Sequence, residues 1–184
     1  MTLTALPVRC DIELALVDRD VSGPVSFRGS HHPSETTQRV WLRILAFAWQ
    51  WRPELTTGSD MSEADGPDLV APGLDGRLVA AVFVGKPEPR RVLKAVDRGH
   101  QVHVAVLFES AMRMRTFVET LAEPGLERLR KIDMGAVEPA LLARLATGDL
   151  RRGKLSLTIA GDHFYVERDG ESFDGPLLRP AGRV

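Results

Sequence analysis

The sequence predicts a single α/β domain over residues 1–184, with a mixed central sheet and one long buried helix. Three stretches carry that prediction. Residues 8–17 alternate strictly, with Cys10, Ile12, Leu14 and Leu16 on one face and Arg9, Asp11, Glu13 and Ala15 on the other, as a half-buried strand does. Residues 31–52 enter as a polar, proline-marked loop and continue as the longest helical pattern in the chain. Residues 78–108 run as apolar strand, helix and apolar strand, the order of a right-handed parallel βαβ unit.

Taken in order, residues 18–23 turn the chain, and Val25, Phe27 and Gly29 continue on a second strand, giving an N-terminal antiparallel hairpin. In the long helix, apolar residues recur at Val40, Ile44, Ala48 and Trp51. Trp41, Leu45, Phe47 and Trp49 fill most of the remaining circumference, which predicts a helix covered on more than one side. Pro33 suits a first helical turn, and Ser34 and Glu35 place a capping oxygen and a negative charge at the positive end of the dipole. Residues 53–77 hold no periodicity and are rich in Pro, Gly, Ser, Asp and Thr, so they are expected to form a long excursion. Residues 78–84, LVAAVFV, read as a central strand buried on both faces. A helix is expected over 87–98, a strand over 102–108, and a helix over 110–122 with Met112, Phe117, Val118 and Leu121 as its apolar residues. A short strand at 131–134, a helix at 137–146 and a C-terminal hairpin from 154–160 and 163–168, turning at Gly161-Asp162, complete the reading.

Composition bounds the rest. A chain of 184 residues supports one sizeable core, and 43% apolar with 27% charged residues is ordinary for a globular protein. No run is long enough to span a membrane and the first residues lack a signal-peptide pattern, so the cytoplasm is the expected compartment and a membrane is not an expected partner. Cys10, the one cysteine, reads as a small buried apolar group. Net charge is −1, divided as −4 over residues 1–80 and +3 over 81–184, which permits a local basic patch on the second part.

Several spaced blocks carry a family resemblance. HPSET at 32–36 running into RILAFAW at 43–49, GPDL at 66–69, VGKP at 84–87 and KAVDRGHQVHV at 94–104, in this order, resemble the YaeQ family over nearly the whole chain. The resemblance implies a variant of the PD-(D/E)XK, restriction-endonuclease-like fold, and it leaves the physiological role undefined. In enzymes of that type an acid on the early helix, an aspartate after a proline and an acid on the next strand hold Mg²⁺, while a lysine orients or deprotonates the attacking water. Glu35 and Asp68 match the first two positions, as metal ligands and catalytic groups, and Lys94 matches a lysine in the following helix. The strand acid is missing. Relatives resemble W-I-(D/E)-x-G-x-P there, whereas this chain reads Ala81-Val82-Phe83-Val84-Gly85-Lys86-Pro87, with apolar residues on the preceding positions too. A phenyl ring cannot coordinate Mg²⁺, so the cofactor is expected to be weakly held or lost.

Plainer readings stand beside these. Glu35 would serve the helix dipole, Asp68 would shape a turn after Pro67, and Trp41, Trp49 and Trp51 would pack rather than stack on bases. His32 would be a hydrogen-bonding partner near the pocket, and the adjacent His31 and His32 diverge too much to share a metal. Arg90, Lys94 and Arg98 recur every four residues beside Lys86 and Arg91, forming a ridge that would meet nucleic-acid phosphates or simply be a solvated face near Glu88 and Asp97. The sequence holds no phosphate-cradling glycine loop, nucleophile elbow or CxxC pair to support another enzyme class. The function that the resemblance implies is nucleic-acid association through a degraded phosphodiesterase site, with a non-catalytic module for a protein partner as the alternative. A third reading is an active nuclease rebuilt around a loop acid such as Glu63 or Asp65.

Overall fold

The computed structural model describes residues 5–58, 66–99, 101–121, 126–147 and 152–180. Its ten strands form one mixed sheet in the order β2-β1-β8-β9-β10-β7-β6-β5-β4-β3. The alternating N-terminal segment is β1 (Leu6–Leu16), paired along its whole length with antiparallel β2 (Val21–His31) through a turn of 3₁₀ helix at Val17–Arg19. Helix α1 (Thr37–Trp49) follows, then β3 (Thr56–Thr57), β4 (Leu69–Pro72) and β5 (Leu78–Val84). Helix α2 (Pro89–Val96) leads to β6 (His103–Phe108), and α3 (Ala111–Leu121) and α4 (Leu126–Leu129) lead to β7 (Ile132–Val137). The chain ends with α5 (Pro139–Leu145) and the strands β8 (Arg152–Ile159), β9 (His163–Arg168) and β10 (Glu171–Leu178). The sheet pairs β5, β6 and β7 in parallel and also β1 with β8, with antiparallel pairs elsewhere.

The sheet curls until its two ends meet, where Thr57 Oγ1 of β3 donates to the Arg28 carbonyl of β2 at 3.1 Å. Helix α1 lies within that curl, which is why nine of its thirteen residues are buried and why its apolar pattern has no single stripe. One core joins α1 and α5 to the inward residues of β1, β8, β9 and β10 and to Ala80, Val82, Val84, Ala105 and Leu107. The alternate residues of the parallel strands, Ala81, Phe83, Val104, Val106 and Phe108, meet α2 and α3 in a second core. Burial on both faces accounts for the unbroken LVAAVFV run.

Four expectations are corrected. The long helix starts later than the proline suggested: Thr36 is its N-cap, its hydroxyl accepting from Arg39 N at 3.3 Å, and Pro33, Ser34 and Glu35 lie in the preceding turn. The excursion at 53–77 contains β3 and β4, and Leu69 and Ala71 of β4 are fully buried against β5. Met112 is 71% exposed, and Met114 takes its place in the core. The tail adds β10, which the breaks at Gly175 and Pro176 concealed, and which joins β9 to β7. Among the described residues no helix is long and apolar enough to cross a membrane.

Candidate functional site

Glu35, Arg39 and Arg43 recur every four residues, so the turn before α1 and the first turns of the helix bring them to one side. The turn is fixed locally: Glu35 N–H donates to the His32 carbonyl at 2.8 Å and His31 Nε2 donates to the Glu35 carbonyl at 2.8 Å. Ser34 N–H donates to His32 Nδ1 at 3.2 Å, and Ser34 Oγ lies 2.6 Å from the same nitrogen. Asp68 arrives from the residue before β4, where Gly58 N–H donates to its carbonyl at 2.9 Å.

These groups border a cavity of about 390 Å³ that Phe83, Lys86, Glu88 and Arg91 also line. Inside it the Arg39 guanidinium contacts Asp68 Oδ1 at 2.7 Å, Glu35 Oε1 at 3.5 Å and the Val84 carbonyl at 3.0 Å. Val84 N–H donates to Asp68 Oδ2 at 2.8 Å, and Arg43 binds Glu35 Oε2 at 2.7 Å and the Ser30 carbonyl at 2.6 Å. All four oxygens of the two carboxylates thus face N–H donors. Burial pushes the Asp68 carboxyl above its ordinary value, against the opposing pull of Arg39 and the Val84 N–H. Gly85 makes room for this arrangement: its φ is +76°, and a Cβ there would stand 2.7 Å from Arg39 Nη1.

Sequence reasoning picked out Glu35 and Asp68, and the structure brings them to one cavity joined through Arg39. Phe83 borders the same cavity but is 3% exposed and belongs to the α2–α3 core. Lys86 stands at the rim, whereas Arg90, Lys94 and Arg98 are exposed and do not line the cavity. Glu88 and Asp97 pair with Arg91 (3.2 Å) and Arg128 (3.4 Å), and Lys86, Arg90, Lys94 and Arg98 have no ion-pair partner among the described residues. Glu63 and Asp65 lie outside the described residues. Among the described residues no three His, Cys, Asp or Glu side chains are grouped to hold a metal ion. Arg39 and Arg43 were the residues missed. Their four-residue spacing from Glu35 was the available signal, and it reads equally as ordinary helix-face pairing.

The family model for "YaeQ protein" matches residues 1–175. Among solved structures, the YaeQ protein from Xanthomonas axonopodis pv. citri has a TM-score of 0.84 at 23% identity, covering 95% of this chain and 97% of that one. The YaeQ protein from Pseudomonas syringae has a TM-score of 0.83 at 24% identity, covering 97% of each chain. No curated protein matches the sequence.

Proposed function

The chain belongs to the YaeQ family, and on that premise we propose that it binds nucleic acid through a nuclease-like scaffold whose metal-dependent phosphodiesterase chemistry has been lost. The observation that carries this reading is the Arg39 guanidinium lodged between Asp68 and Glu35. Mg²⁺ requires hard oxygen ligands in near-octahedral array at roughly 2.0–2.1 Å. Here two arginines already balance two carboxylates, three of the four carboxylate oxygens accept a hydrogen bond from nitrogen while Glu35 Oε1 lies 3.5 Å from Arg39 Nε, and Phe83 supplies no oxygen. The residues present do not fit the ion.

Binding rests on the ridge beside the cavity. Arg90 and Lys94 on α2, with Arg98 just beyond it and Lys86 at the rim, present cations that no carboxylate among the described residues neutralises. Phosphate contacts of this kind release counterions, so affinity falls with salt by about 0.9 log units per log unit of salt for each contact on duplex DNA. Titration of a labelled oligonucleotide at several salt concentrations should give a slope of roughly −3 to −4, shallower by about two in the Lys94→Ala/Arg98→Ala variant. Mg²⁺-dependent cleavage that Asp68→Ala abolishes would overturn the reading, as would affinity independent of salt. Pull-down with and without nuclease treatment separates bridging nucleic acid from a direct protein partner.

A further inference from the structure

At the opposite end of α1 lies a second cavity, of about 410 Å³, a size within the roughly 300–1,000 Å³ range of small-molecule sites. Its polar groups form a chain with one end satisfied and one end not. Asp133 Oδ1 takes the Arg179 guanidinium at 3.0 Å and Asp133 Oδ2 accepts from Gln50 Nε2 at 2.8 Å. That contact turns the Gln50 carbonyl toward His103, 2.7 Å from Nε2, so Nε2 carries the ring proton and Nδ1 keeps its lone pair. Arg179 is further occupied by Asp162 at 2.7 Å and by the face of Trp49 at 5.1 Å, and Asp18 accepts from Gly161 N–H at 2.7 Å.

The remaining cations are not matched. Arg19 donates to the Trp51 carbonyl at 2.8 Å, and neither it nor Arg52 has a carboxylate partner among the described residues. The Nε of Arg52 is buried with no acceptor. Burial, then the charge of Arg19, lowers the Arg52 guanidinium below its ordinary value. Burial, then Arg52, holds His103 below its own, with Arg19 adding to this and Asp133 opposing it. A cavity with two unmatched guanidinium groups, one burying an unused donor, and an imidazole offering a lone pair suits an anion that also brings a proton. A phosphate group does both; a carboxylate at neutral pH brings the charge without the proton.

We propose that this cavity binds the phosphate group of a small phosphorylated molecule, with Arg52 and Arg19 taking its oxygens and His103 Nδ1 sharing its proton. The site is independent of the Lys94 ridge. Isothermal titration with inorganic phosphate, ribose 5-phosphate and ribose tests it. Inorganic phosphate, ribose 5-phosphate or both should bind while ribose does not, and which of the two binds tells free phosphate from a monoester. Arg52→Met should weaken binding at least tenfold while unfolding, without ligand, at or above the wild-type temperature, since it removes an unpartnered like charge. Lys94→Ala should leave the affinity unchanged, and the proton exchange that accompanies binding at pH 7 should change in His103→Gln. Phosphate binding that survives Arg52→Met unaltered, or the absence of binding by either phosphate compound, overturns the proposal.

Discussion

Replacing Arg39 with methionine removes the cation that Asp68 and Glu35 share while keeping an apolar stem in place. Taking one partner from a fully buried pair costs about 3–5 kcal/mol, whereas exposed pairs contribute about 0.2–1 kcal/mol. Arg39 is 41% exposed and Asp68 only 15%, so solvent screens one side of the pair and not the other. An intermediate loss of about 2 kcal/mol is expected at pH 7, equivalent to roughly 4–8 °C in melting temperature for a chain of this length. The same substitution frees carboxylate oxygens for a metal. With a dissociation constant near 1 mM, 10 mM Mg²⁺ would return about 1.4 kcal/mol to the variant, while the wild type, whose oxygens are occupied, should not respond. Urea unfolding of both proteins with and without Mg²⁺ measures each quantity. A Mg²⁺ response of equal size in both proteins, or in neither, would refute the reasoning that the guanidinium stands in a cation's place.

Phe83→Asp on its own should give no Mg²⁺-dependent nicking of plasmid DNA, because Arg39 still engages Asp68, and should cost about 3 kcal/mol or more by burying a carboxylate in the α2–α3 core; nicking by this single variant would show that the guanidinium is no obstacle. Gly135→Ala should cost about 1–3 kcal/mol of unfolding free energy, read as a lower urea midpoint, since its Cβ would stand 2.5 Å from Leu177 Cδ1 and 3.5 Å from Trp49. Burial raises the Cys10 thiol from 9.0 to about 11, so the folded state keeps a proton that the unfolded chain releases above pH 9. The corresponding stability, on the order of 2–3 kcal/mol, is fully present below about pH 9 and lost as pH rises toward 11; Cys10→Ala should lack that part of the decline, and parallel curves for the two proteins would contradict it.

The sequence made the periodic elements legible where one partner surface dominates. Strict alternation marked β1, and the unbroken apolar run marked β5 because helices cover both of its faces. Strand β4 escaped notice because four residues are too few for a period, and it owes its existence to pairing with β5 rather than to its own pattern. The helix start was misread because Pro33, Ser34 and Glu35 are good entry residues in general, while Thr36 holds the one side-chain oxygen that caps this helix. At the candidate site, the two acids and the aromatic at 83 were visible from motif positions. The neutralising role of Arg39 was not, since it depends on Gly85 letting the guanidinium pass and on β5 delivering the Val84 peptide to Asp68.

The pairing of β1 with β8 bears on how the chain is made. Arg9 faces Arg152, so β1, already joined to β2 on one side, must wait about 140 residues for its second neighbour. At roughly 5–20 residues per second, translation leaves that edge open for about 7–30 s. During that interval the row Val8, Cys10, Ile12 and Leu14 and the nine apolar residues of α1 come to be present without the strands that finally enclose them. A nascent protein in that condition needs holding, and slow translation between the emergence of α1 and of β8 should favour aggregation over assembly.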